Sequence, residues 1–102
     1  MRFLVKILQL FLMINSIISC VNSDFNNGIK DFKQQNYRNA FIHLKVVAER
    51  GQPDAQYAIG YMYYYGNGVV ENRDKALYWI TKAASAGQPD ARKALKILHI
   101  QK

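Results

Sequence analysis

The five residues Gly51-Gln52-Pro53-Asp54-Ala55 recur unchanged as Gly87-Gln88-Pro89-Asp90-Ala91, thirty-six positions later. The register extends both ways. Ala40 pairs with Ala76, Phe41 with Leu77, Leu44 with Ile80, Ala48 with Ala84, Ala58 with Ala94 and Ile59 with Leu95. A period of this length is the signature of stacked helical repeats, in which each unit buries its apolar face only against its neighbours.

Local signals agree with helices at these places. Pro53 and Pro89 suit the first helical position, where the missing N–H costs nothing. Asp54 and Asp90 follow where the helix dipole favours negative charge. Gly51 and Gly87 suit the left-handed residue that closes the preceding helix. Asn36 and Asn72 are good N-caps at the same offset. The pattern predicts five helices, at about residues 24–35, 37–49, 53–65, 73–86 and 89–101. No stretch alternates with a period of two, so no sheet is expected.

Each helix carries one apolar stripe. Phe25, Ile29 and Phe32 lie at i, i+4 and i+7. The second helix offers Ala40, Phe41, Leu44, Val47 and Ala48, and the fourth Ala76, Leu77, Ile80, Ala83 and Ala84 with Trp79 beside them. The alanines let helices approach closely and the large residues fill the gaps.

Residues 53–87 resemble a known family. Ala55, Ile59-Gly60, Tyr63, Gly66, Gly68-Val69, Lys75-Ala76, Trp79 and Lys82-Ala83-Ala84, followed by Gly87, are similar to the pattern of the Sel-one-like repeat, a relative of the tetratricopeptide repeat. Asn72 stands where the family prefers aspartate, and Ile80 replaces its second aromatic. The resemblance implies an all-α superhelix, a short solenoid of about five helices. The repeat domain would run over 24–102, with a degenerate leading unit at 24–51, a complete repeat at 53–87 and a truncated repeat or capping helix at 89–102. It also implies an adaptor or scaffold rather than a catalyst. Some exported members carry paired cysteines in each repeat, which this chain lacks.

The first twenty residues read differently. Arg2 and Lys6 precede the apolar run Ile7 to Ile14, and no acid occurs before Asp24. A basic start followed by a short apolar stretch is the pattern of a signal peptide. Two cleavage sites are readable. Ile17-Ile18-Ser19-Cys20 resembles a bacterial lipobox, which makes Cys20 a lipidation and membrane-attachment candidate; Val21-Asn22-Ser23 is the alternative, and an uncleaved anchor a third option. Either cleavage means export, to the cell envelope or periplasm as a lipid-anchored protein or to the exterior as a secreted one. Cys20 is the only cysteine, so an intrachain disulfide is excluded and the domain must cohere by packing.

Chemistry is sparse. His43 and His99 are the only histidines, 56 residues apart, and neither has a Cys, Asp or Glu nearby at metal-ligand spacing. Glu49 and Glu71 each sit beside a helix end, and Ser85 lacks a nucleophile elbow. Gly66-Asn67-Gly68 is followed by Val69-Val70, not by the Lys-Ser/Thr of a phosphate loop, and a helix precedes it. It reads as a helix stop and a turn. We therefore expect no enzyme, no cofactor and no metal.

The net charge of +7 becomes +5 without residues 1–20, which hold Arg2 and Lys6 and no acid. That excess keeps one alternative open: an envelope ligand-binding or cell-wall-modifying protein acting on acidic polymers. Nucleic-acid binding is not expected, because no Lys or Arg lies between Gly51 and Arg73, where the aromatics concentrate.

Five tyrosines fall within residues 57–65. At 100° per residue, Ala55, Ile59, Met62, Tyr63 and Gly66 share one side of the helix and Tyr57, Tyr61 and Tyr64 the other, with Tyr65 between. Tyr63 belongs to the repeat pattern; the trio is in excess of it. In tetratricopeptide-like stacks the first helix of each repeat lines a concave groove, so the resemblance makes Tyr57, Tyr61 and Tyr64 candidates for binding a protein or peptide. Packing on the helices at 24–35 and 89–101 is the alternative. The last helix presents Ala91, Leu95 and Leu98 on one face and Ile97 and Ile100 on the other. A terminal cap should be polar outside. Its end is thus expected to meet a second copy, another repeat protein or a membrane surface.

Overall fold

The computed structural model describes residues 2–100; the side chains of residues 15–22 and 100 lie outside that description, and with them the lipidation candidate Cys20. Five α-helices occur among the described residues: α1 (Arg2–Lys33), α2 (Tyr37–Glu49), α3 (Pro53–Tyr65), α4 (Arg73–Ser85) and α5 (Pro89–Ile100). No strand occurs among them. Consecutive helices pack on one another, forming an all-α stack of antiparallel hairpins. The expected boundaries hold for α2 and α3 and within a residue for α4 and α5. The first helix differs: it is continuous from Arg2, not from residue 24. Residues 2–24 hold no glycine or proline, so no backbone signal interrupts the helix.

The repeated pentapeptide makes the same joint twice. Gly51 and Gly87 adopt positive φ, 103° and 95°. The amides of Gly51 and Gln52 bond back to Ala48 and Val47, and those of Gly87 and Gln88 to Ala84 and Ala83, all at 3.0–3.4 Å. These bonds satisfy carbonyls that a helix end would leave open. A side chain then crosses each joint. Gln56 Nε2 donates to the Ala48 carbonyl at 3.2 Å, and thirty-six residues later Arg92 Nε donates to the Ala84 carbonyl at 3.3 Å.

The two asparagine caps do not behave alike. Asn72 is extended and its Oδ1 accepts the Lys75 amide at 2.9 Å. Asn36 makes no side-chain cap. The short connection before it, with Gln35 at φ 63°, sets Asn36 at φ −87°, ψ 65°, away from the extended backbone that aims a capping side chain.

The buried pairs of the repeat, Ala40 with Ala76, Leu44 with Ile80, Ala48 with Ala84 and Ala55 with Ala91, form the core together with Val47, Ile59, Met62, Tyr63 and Trp79. Two close approaches fix the hairpins. A Cβ on Gly60 would lie 2.6 Å from Ile80 Cγ1, and one on Gly28 would lie 2.6 Å from Leu44 Cγ. Leu44 and Ile80 are equivalent at thirty-six residues, but Gly28 and Gly60 are thirty-two apart. The connection 34–36 is four residues shorter than 66–72, which accounts for the difference. On α1 the repeat therefore runs at an offset of thirty-two. Phe25, Ile29 and Phe32 are the counterparts of Tyr57, Tyr61 and Tyr64.

Candidate functional site

Helical spacing divides α3. Ala55, Ile59, Met62 and Tyr63 are buried. Tyr63 meets Phe41 edge-on at 5.4 Å between centroids. On the opposite side Tyr57 and Tyr64 are half-buried and Tyr61 is 39% exposed. Their α1 counterparts Phe25, Ile29 and Phe32 are likewise half-buried. Neither row is fully packed inside, because α1, α3 and α5 each pack chiefly on α2 and α4 and leave space between themselves.

That space is two cavities. One, of about 390 Å³, lies among α1, α3 and the start of α5; Phe25, Ile29, Phe32, Tyr57, Tyr61, Asp54, Gln88 and Asp90 line it. The other, of about 260 Å³, lies between α3 and α5; Tyr57, Tyr61, Tyr64, Tyr65, Ile80, Ile97 and Leu98 line it. Tyr57 and Tyr61 face both, so the two make one groove along α3. The structure thus brings together the three tyrosines singled out by angle and the outer face of the C-terminal helix. Ile97 is 56% exposed yet faces the groove beside Leu98, rather than lying on a separate side.

Aromatic contacts order the wall. Tyr61 meets Phe32 at 6.0 Å and Tyr65 at 4.7 Å, and Tyr65 meets Tyr64 at 4.9 Å. Beyond them the Arg73 guanidinium lies 3.7 Å from the Tyr64 ring centroid, a cation–π geometry. Glu71 accepts from Arg73 Nε at 3.0 Å. That hydrogen bond, aided by Tyr64, raises the pKa of the exposed Arg73 above its ordinary value. Sequence reasoning missed Tyr65 and Arg73. Tyr65 sits at the edge of the stripe, and Arg73 reaches Tyr64 only because the turn at 66–72 folds α4 back.

That turn depends on Gly68. Its φ is 73°, and a Cβ there would lie 2.5 Å from the Tyr37 carbonyl oxygen. Gly66 closes α3 at φ 70° with its amide bonded to the Met62 carbonyl, and Val69 packs on the core. Both glycines thus serve the reversal of the chain between α3 and α4.

At the other end of the groove, Gln88 Oε1 caps α5 through the Ala91 amide at 2.7 Å, while its Nε2 donates to Asp54 at 3.3 Å. One buried side chain so joins the starts of α3 and α5. Burial pushes the Tyr57 hydroxyl above its usual pKa, and the negative charge of Asp90 adds to that.

No His, Cys, Ser or Lys lines either cavity. His43 lies elsewhere, between α1 and α2, with its ring nitrogens 3.8 Å from Asp24 and from Asp31. Among the described residues no group of three metal-ligating side chains converges. The groove can bind and orient; it holds no nucleophile paired with a base.

The family model for the Sel1 repeat matches residues 53–88. Residues 53–88 are a Sel1 repeat. A crystal structure of a Sel1 repeat protein from Oxalobacter formigenes superposes with a TM-score of 0.73 at 34% identity, covering 76% of this chain and 24% of that one. Over 56 residues, 54% of this chain, the protein is 38% identical to 8% of the ERAD-associated E3 ubiquitin-protein ligase component HRD3A of Arabidopsis thaliana. Over 42 residues, 41% of this chain, it is 46% identical to 7% of the putative sel1-like repeat-containing protein L18 of Acanthamoeba polyphaga mimivirus. The chain therefore matches under a tenth of the length of these curated relatives. The Sel1 repeat comprises α3, α4 and the joint before α5, so the tyrosine row lies on its first helix.

Proposed function

We propose that this protein, which contains a Sel1 repeat, is a non-catalytic scaffold that binds a protein or peptide in the groove along α1, α3 and α5. One observation carries the reading: Tyr57 and Tyr61 line both cavities, so the tyrosines of α3 join the Phe25–Phe32 wall of α1 to the aliphatic wall of α5 in one apolar surface. Tyrosine suits such a surface, with large apolar area, few rotors and a hydroxyl that stays wet. The plant relative is by its name a component of a ubiquitin-ligase assembly, which favours interaction over catalysis.

Export belongs to the same proposal. The large apolar side chains from Phe3 to Ile14 are 48–75% exposed. Such a row wants an apolar environment that the repeat body does not supply. No described helix is long and apolar enough to cross a membrane. Recognition as an export signal, with lipidation at Cys20 or cleavage after Ser23, meets that demand. Mass spectrometry of the native N-terminus tests it: an end at Cys20 or Asp24 supports cleavage and export, and an intact Met1 contradicts both cleavage sites. The acidic-polymer alternative would have to use the basic surface outside the groove, since Asp54 and Asp90 line the groove itself.

For the groove, the test is replacement of Tyr57, Tyr61 and Tyr64 by alanine. With helicity intact by circular dichroism, partners captured by the wild type should be lost. An unchanged set of partners would contradict the assignment.

A further inference from the structure

Resting on the groove reading, we propose that the occupant is a peptide segment bearing a lysine or arginine, whose cation lies against Asp54 and Asp90 while its apolar side chains run along the tyrosines. The chain carries a net charge of +7, yet the cavity that holds these two carboxylates has no Lys or Arg in its lining. Of the other five acids four have partners: Asp24 and Asp31 face His43, Glu49 meets Lys45 and Glu71 meets Arg73; the fifth, Asp74, lies outside the groove. Asp54 and Asp90 make no ion pair among the described residues, and Asp54 has only the Gln88 amide at 3.3 Å.

Their position in the first turn of α3 and α5 makes them favourable to their own helices. It does not explain why both line one cavity. Gln88 does that, by capping α5 while bonding to Asp54. The carboxylates are exposed, and the facing wall of the cavity is Phe25, Ile29 and Phe32. The Tyr57 hydroxyl, its pKa raised by burial and then by Asp90, lies within the field of that carboxylate. An incoming cation would meet both that field and aromatic faces.

The groove is also polarised. At its far end Arg73 already stacks on Tyr64, so positive charge is supplied there by the protein. From Asp54 to Tyr64 is ten helical residues, about 15 Å. A complementary extended segment carries its basic residue about four or five positions from its apolar anchor. The same polarity sets its direction, with the cation toward the start of α3.

The test is selection of a displayed random dodecapeptide library on the immobilised full chain, repeated on Asp54→Asn/Asp90→Asn and on Tyr57→Ala/Tyr61→Ala. The expected winners carry Lys or Arg beside apolar residues. They should lose that basic preference on the asparagine variant, bind it about tenfold more weakly, and lose their salt dependence. If the alanine pair does not fold, Tyr61→Lys takes its place, since Tyr61 is already 39% exposed. Winners without basic residues that still depend on Tyr57 and Tyr61 would overturn this inference and leave the groove assignment standing. No winners, or winners indifferent to the tyrosines, would overturn both.

Discussion

Gly60 of α3 packs directly beneath Ile80 of α4: a Cβ at position 60 would lie 2.6 Å from Ile80 Cγ1 and 3.1 Å from the Ala76 carbonyl oxygen. The second contact is backbone and cannot swing aside. Gly60→Val is therefore expected to force the hairpin apart and destabilise by about 1–3 kcal/mol. Urea unfolding should show a lower midpoint, and Ile80→Ala should recover part of the loss in the double variant.

Gly68 and Gly51 both have positive φ but differ in surroundings. Gly51 has nothing within 4 Å of a Cβ, whereas Gly68 faces the Tyr37 carbonyl at 2.5 Å. Gly51→Ala should cost only the left-handed conformation, about 1–2 kcal/mol. Gly68→Ala should cost that and a backbone clash. Thermal melting of the two variants should rank them in that order; equal melting points would contradict the close approach.

Gln56 is 2% exposed and donates to the Ala48 carbonyl. A glutamate there can donate only when protonated, and burial raises its folded pKa. For Gln56→Glu, stability should be fully present below the unfolded carboxyl pKa of about 4.3 and fall as pH rises from there through the folded value. Denaturant midpoints at pH 4 and pH 7 should diverge for the variant and stay close for the wild type.

Tyr57 should ionise above the ordinary tyrosine value of 10.0. Because the folded pKa is raised, its contribution to stability is present below about pH 10 and lost above it. Phenolate absorbance, with Tyr57→Phe subtracted to identify the group, should show the late titration. Asp90→Asn should bring it earlier without restoring the ordinary value, since burial is the larger cause.

Much of this molecule is legible in its sequence, and the reasons for the exceptions are specific. The pentapeptide repeat, Pro53 and Pro89 place α3 and α5, and helical angle alone separates Tyr63 from Tyr57, Tyr61 and Tyr64. What stays hidden depends on connection length and on residues brought together by turns. Phe25, Ile29 and Phe32 read as an ordinary core stripe because an offset of thirty-six does not align them with the tyrosines. The shorter connection before α2 changes the offset to thirty-two and puts them on the groove wall. Arg73 on Tyr64 and His43 between Asp24 and Asp31 are likewise products of chain reversal. Asn36 looks like Asn72 as a cap, and only the backbone angles distinguish them.

If the tyrosine row is the working face, a partner must touch it. Photo-crosslinking in the native cell tests it most directly, with a photoreactive phenylalanine analogue placed in turn at Tyr61 in the groove and at Tyr78 on α4, which is 59% exposed and outside it. A discrete adduct is expected from position 61 and none from position 78. The same adducts from both positions, or an adduct from position 78 alone, would contradict it.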